Sequence, residues 1–190
     1  VQTLMKEAAD VFMKNLDAQV SAEGQKWTLQ CSDEKRELKI FSAYYPGQSC
    51  RRWKVETTLD SDLESAYDAS FVPEKRRKWD ALVKDIRMLQ INDCPPDVGD
   101  GLAITTILTN AVMVVSSRSM LDIALQRCQR RGGIVIANVS CPSNFDEMKL
   151  DPGSRGTVRA KTLIGSGALI EAIPGRPGKL KYVLVSTIDL

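Results

Sequence analysis

From Trp27 to Thr57 and again from Leu82 almost to its end, the chain places apolar residues at every second position in short runs cut by turn residues, a period that fits strands rather than amphipathic helices. Trp27-Leu29-Cys31, Leu38-Ile40 and Trp53-Val55-Thr57 alternate in this way around the turns Ser32-Asp33-Glu34 and Pro46-Gly47. They predict three antiparallel strands. After Asp80 the pattern predicts strands over Leu82 to Ile91, Gly101 to Thr109, Met120 to Arg130, Ile134 to Ser140, Thr157 to Ile164, Ala168 to Ala172 and Tyr182 to Ile188. Pro95-Pro96, Gly132-Gly133, Pro152-Gly153, Gly165-Ser166-Gly167 and Pro174-Gly175 supply the turns. No βαβ alternation occurs, so the class is α+β with one long antiparallel sheet. A sheet of about nine strands twists and curls, and what fills the curl becomes the question.

Helical periodicity appears in two places. Leu4, Ala8, Val11, Phe12 and Leu16 form one stripe opposite Lys6, Glu7, Asp10, Lys14 and Asp17, predicting an N-terminal helix that ends near Gly24. Ser61 and Glu64 have capping-box spacing, and Leu63, Ala66, Tyr67 and Phe71 share a face, so a short helix is predicted from about Asp60. Pro73 stops it and opens a further turn or two ending around Trp79.

With 190 residues, 43% of them hydrophobic, the chain reads as a single domain over 1–190. The net charge of +2 gives no chain-wide field for a polyanion, so no nucleic-acid partner is expected. A histidine count of zero removes Ser-His-Asp and Cys-His pairs and every His-containing metal site. Cys31, Cys50, Cys94, Cys128 and Cys141 are scattered, with no C-x-x-C pair. A reducing compartment is therefore expected rather than a disulfide framework or a zinc site. No apolar stretch approaches the roughly 18 residues of a membrane span, which predicts a cytoplasmic protein that meets membranes from the water side.

Three stretches together resemble a known family. Arg76-Arg77-Lys78-Trp79-Asp80 resembles its "R-x-x-W-D" segment. Thr157-Val158-Arg159-Ala160 followed by Ser166-Gly167-Ala168-Leu169-Ile170-Glu171 is similar to its "V-R-A … S-G-x-L-I-E" hairpin, and Leu184 to Leu190 resembles its last strand, closing in "D-L". The chain is thereby identified as resembling a START (steroidogenic acute regulatory protein-related lipid-transfer) domain over nearly its whole length. The resemblance implies a helix-grip fold, in which a curved sheet closes over a C-terminal helix with one lipid inside. It also implies intermembrane transfer of that lipid, a sterol or a phospholipid, without catalysis or cofactor, by a protein expected to be a monomer. The family continues into a Gly-Trp-Leu-Pro-like turn and the gripping helix where this chain stops at Leu190, so a truncated tail is expected. Phosphatidylcholine carriers of the family cage a quaternary ammonium with aromatic rings. The matching positions here hold Ile107 or Thr105, Met120 and Leu163. Sterol carriers place an acidic residue and an arginine where this chain has Thr105 and Ala124, and their "R-D-F" reads Arg118-Ser119-Met120.

If Thr105 and Ala124 point inward, alternation also turns Ala103, Ile107, Met120 and Asp122 inward and packs Leu121, Ile123 and Leu125 behind the sheet. An inward Asp122 needs a partner or a raised pKa, and Arg76 and Arg159 are the candidates. It reads either as a polar hook for a lipid or as half of a structural salt bridge. Arg76 and Asp80 lie one helical turn apart and pair as i, i+4; the resemblance gives them a head-group role. Trp79 is expected to anchor the core. The candidate lipid-binding set is Arg76, Asp80, Thr105, Ile107, Met120, Asp122, Ala124, Arg159 and Leu163. Val112, Met113, Val114 and Val115 form an apolar run that reads either as a membrane-contacting loop over the cavity mouth or as continued strand. Lys75 to Lys78 and Arg127 to Arg131 are basic clusters that fit anionic head groups or a solvated face. A lipid-sensing module of a larger protein and a helix-grip enzyme acting on a hydrophobic substrate are the alternatives.

Overall fold

The computed structural model describes residues 1–16, 19–47, 50–92, 101–111, 116–130, 133–142 and 157–189, with backbone alone at 90–92 and 125–130. Helix α1 (Gln2–Asn15) precedes strands β1 (Thr28–Asp33), β2 (Leu38–Tyr44) and β3 (Arg51–Asp60). Helices α2 (Leu63–Phe71) and α3 (Pro73–Arg76) follow. Then come β4 (Val83–Asn92), β5 (Gly101–Thr109), β6 (Arg118–Arg130), β7 (Gly133–Ser140), β8 (Val158–Arg159), β9 (Lys161–Thr162), β10 (Ser166–Ala172) and β11 (Lys179–Asp189).

Nine of these strands run in the order β1-β2-β3-β11-β10-β7-β6-β5-β4, every neighbouring pair antiparallel. The N-terminal meander thus joins the C-terminal one through β3 and β11, paired from Lys179↔Asp60 to Thr187↔Arg52. The stretch expected as one strand over Thr157 to Ile164 is instead two short ones. Strand β8 pairs parallel with β6 and β9 pairs with β11, so this segment crosses one end of the sheet.

Helix α1 covers the outer face. Met5, Ala8, Ala9 and Phe12 are fully buried and pack with Ile123, Val135, Ala137, Leu169, Val183 and Val185. The helix stops at Asn15, well before Gly24, because the Asn15 amide is committed elsewhere: its Nδ2 donates to the Gly165 carbonyl (3.1 Å) and its Oδ1 accepts from the Ala22 amide (2.7 Å). Gly167 allows the close approach: a Cβ there would stand 2.3 Å from the Ile136 carbonyl oxygen and 3.0 Å from the Phe12 ring. On the inner face, α2 lays Ala66 and Tyr67 against Ile134, Ile136, Ile170 and Leu180. Its N-cap is Asp62 rather than Ser61, with the Ser65 amide donating to Asp62 Oδ1 at 2.8 Å. The curved inner face and α2 leave a space between them.

Candidate functional site

That space is a cavity of about 180 Å³ walled by α2, α3 and strands β4 to β7, β9, β10 and β11. Its apolar wall is Tyr67, Phe71, Ile86, Met88, Ile107, Met120, Ile136, Leu184 and Ile188. Its polar wall gathers Thr105, Asp122, Asn138, Thr162, Ser166 and Ser186, with Arg76 entering from α3. Register explains the gathering. Thr105 pairs with Asp122, Ala103 with Ala124 and Ile107 with Met120, so alternate residues of β5 and β6 share the inner face while Ile123 lies under α1.

Asp122 is the chemical centre of this wall, with 2% of its surface exposed. Its Oδ2 accepts from Thr162 Oγ1 at 2.6 Å and from Asn138 Nδ2 at 3.4 Å, and its Oδ1 from Ser140 Oγ at 3.0 Å. Ser140 Oγ in turn accepts from the Thr162 amide at 2.8 Å, tying β9 to the end of β7. Burial pushes the Asp122 carboxyl above the ordinary carboxylate range, while the bonds from Thr162, Ser140 and Asn138 and the charge of Arg159 pull it back. The direct partners are neutral hydroxyls and an amide; of the two arginines that were candidates, Arg159 acts through its charge. Arg76 is instead engaged by Asp80, Nε to Oδ2 at 3.2 Å.

Of the nine residues singled out in the sequence, Arg76, Thr105, Ile107, Met120, Asp122 and Ala124 stand in the cavity wall. Asp80, Arg159 and Leu163 do not: Asp80 holds Arg76 from behind, Arg159 contributes a field, and the Leu163 backbone bonds Thr187 and Ser166. Val112 to Val115 and the side chains of the Arg127 to Arg131 cluster lie outside the described residues. Trp79 is not a core anchor: it is 61% exposed, its Nε1 donating to the Ala69 carbonyl at 2.7 Å. Sequence reasoning missed Asn138, Ser140 and Thr162. The signal was there in part, since Ile134, Ile136, Asn138 and Ser140 are one face of a strand. Among the described residues, no group of three Cys, Asp or Glu side chains is placed to hold a metal ion, and no helix is long and apolar enough to cross a membrane.

A family profile described as the START domain matches residues 3–190. The chain belongs to the START-domain family. Solved structures agree with that in fold. Human StAR-related lipid transfer protein 5 superposes on this START domain with a TM-score of 0.74 at 17% identity, covering 100% of the chain and 84% of its own length. The lipid transfer and protein localization domain of human StarD13 gives 0.67 at 18%, covering 100% and 81%. A STAR-related lipid transfer protein from Xanthomonas axonopodis gives 0.63 at 16%, covering 84% and 80%. No curated protein sequence matches this START domain. At such identities the structural likeness speaks to the helix-grip architecture, and the ligand must be argued from the cavity itself.

Proposed function

We propose that this START domain binds one lipid in its inner cavity and carries it between membranes without altering it. The observation that carries the reading is a largely apolar cavity holding one buried carboxylate that accepts three hydrogen bonds, inside a START fold. The hydrocarbon part would lie against Ile86, Met88, Ile107, Met120 and Leu184, where each buried methylene contributes about 0.8 kcal/mol. Left empty, a volume of about 180 Å³ costs about 4 kcal/mol at roughly 24 cal/mol per Å³. A ligand removes that cost. Known ligand pockets run to roughly 300–1,000 Å³, so loading widens the site by moving its covering elements.

The polar end would sit at Asp122. With Thr162, Asn138 and Ser140 already donating, Asp122 retains acceptor capacity for one more donor. A lipid ending in a hydroxyl, such as a sterol, completes the cluster, whereas an anionic head group would meet the carboxylate. Arg76, held by Asp80, orients the ligand from α3. These groups are read as binding rather than reacting: Asp122 accepts from two neutral hydroxyls and an amide and anchors a polar end among them.

Native mass spectrometry of the protein purified from cells, with extraction of whatever lipid comes with it, tests the reading. A stoichiometric hydroxyl-bearing lipid, and faster exchange of that lipid between vesicles, is the expected result. Neither lipid nor exchange would overturn it.

A further inference from the structure

Transfer as read above requires the cavity to meet a bilayer but leaves open which surface does so. We propose that the turn between α3 and β4 docks on anionic membranes, with Trp79 and Leu82 entering the interfacial layer and Lys78 and Lys84 meeting acidic head groups. This rests on the lipid-carrier reading for its purpose, not for its physical basis.

Among the described residues, Trp79 and Leu82 are the two most exposed large apolar side chains, at 61% and 58%. They stand three positions apart on one turn whose shape is fixed from several sides. Asp80 Oδ1 accepts from the Leu82 amide at 3.2 Å and the Asp80 carbonyl from the Val83 amide at 3.0 Å. Asn110, at the end of β5, donates its side-chain amide to the Ala81 carbonyl and its backbone amide to the Leu82 carbonyl, both at 2.8 Å. The Trp79 indole N–H is already spent on the Ala69 carbonyl, so what the ring offers outward is carbon. A rigid, exposed apolar pair loses little conformational freedom on docking.

Charge selects the partner. Lys75 pairs with Asp68, Arg76 with Asp80, and Arg77 and Arg87 with Asp85. Lys78 and Lys84 are exposed and have no ion pair among the described residues, against one exposed acid outside these pairs, Glu74. The uncommitted charge around the apolar pair is therefore positive, as an acidic bilayer surface demands. The turn also adjoins the cavity: Arg76 belongs to its wall, and Tyr67, Phe71, Ile86 and Met88 are shared between the cavity and a surface groove at Pro73, Glu74 and Arg77.

Co-sedimentation with vesicles of phosphatidylcholine, alone or with roughly one-third phosphatidylserine, tests this. Wild type should prefer the phosphatidylserine vesicles and lose that preference in high salt. Trp79→Ala/Leu82→Ala should weaken binding about tenfold. Lys78→Glu/Lys84→Glu, at two exposed positions, should weaken it at least as much, about tenfold or more, on the acidic vesicles only. Native mass spectrometry on each variant reads lipid occupancy separately, and it should not change. Wild-type indifference to phosphatidylserine, or variants that bind like wild type, would overturn the proposal. So would an apolar variant that keeps vesicle binding but loses self-association in sedimentation velocity, since the turn would then be a protein contact. Vesicle binding lost in both variants, from a wild type that carries no lipid, would support the docking surface and count against the carrier reading.

Discussion

Both faces of the sheet bury charge, and they treat it differently. On the outer side, Arg52 and Lys54 of β3 are completely enclosed. Arg52 Nη2 donates to the Ile164 carbonyl at 2.7 Å and meets Glu23 at 3.2 Å, with its guanidinium 4.9 Å from the Tyr45 ring. Lys54 Nζ lies 3.4 Å from Glu56 and 4.5 Å from the centre of the Trp27 ring. These cations face groups of the protein itself, and neither lines the inner cavity. On the inner side, Asp122 is equally buried but stands in the wall of a cavity. A buried charge is thus no sign of a site until one asks what it faces. The outer pair reads as architecture, and the inner carboxylate is the one available to the proposed ligand.

The largest effect that separates the faces should come from the outer core. Phe12→Ala removes a fully buried ring packed over Gly167 and is expected to cost about 3–5 kcal/mol in urea unfolding. Lipid preference should be unchanged. A shifted lipid profile in Phe12→Ala would show that the two faces are coupled and blur the contrast.

Next in size is Glu23→Gln. It leaves Arg52 buried without its counter-charge and should cost about 2–3 kcal/mol, since Glu23 is itself partly exposed. Arg52→Met should stay within about 1 kcal/mol of wild type, because it removes a buried cation whose Nε and Nη1 meet no geometric hydrogen-bond partner among the described residues, and Met keeps contact with the Tyr45 ring. Thermal denaturation of both variants checks the pair. A heavy loss in Arg52→Met and none in Glu23→Gln would mean the cation is doing something beyond structure.

The alternation of β5 and β6 made their inner face legible in advance, because a period of two fixes which residues share a side once one is placed. Helix α1 was legible in type but not in extent: of the two bonds that commit Asn15, one comes from Ala22 close by, but the other goes to Gly165, 150 positions away. The Asp122 cluster was half legible. Its carboxylate stood out as an inward charge in need of a partner or a raised pKa, but the candidates named for it were arginines, because only the crossing of β9 over the sheet end brings Thr162 to it across 40 positions. Trp79 failed for a different reason. Composition favours burying tryptophan, and no local pattern tells that its indole N–H would be satisfied at the surface by Ala69.

Thr162→Val measures that crossing strand directly. It deletes the shortest bond to Asp122, 2.6 Å, and is expected to cost about 1–2 kcal/mol. The same change should weaken retention of a hydroxyl lipid, a second effect that no outer-face variant shares. Stability loss with unaltered retention would place the cluster with Arg52 and Lys54, as architecture.

Asp122→Asn should have the smallest net effect at neutral pH, less than about 1 kcal/mol, because lost hydrogen bonding and relieved charge burial offset each other. Its value lies in the slope. Burial holds the Asp122 carboxyl above its ordinary value, so in the pH window between the two values the folded protein keeps a proton that the unfolded chain gives up. The stability contributed by this group is therefore fully present below the unfolded value of about 4 and is lost as pH rises through the folded one. Asparagine does not titrate. The stability difference between the two proteins should accordingly move in favour of Asp122→Asn with rising pH, by up to about 1.4 kcal/mol per unit inside that window and not at all outside it. Urea titrations on both sides of the window, with Phe12→Ala as the untitratable control, give the answer. An opposite slope would mean that the hydrogen bonds from Thr162, Ser140 and Asn138 outweigh burial at Asp122.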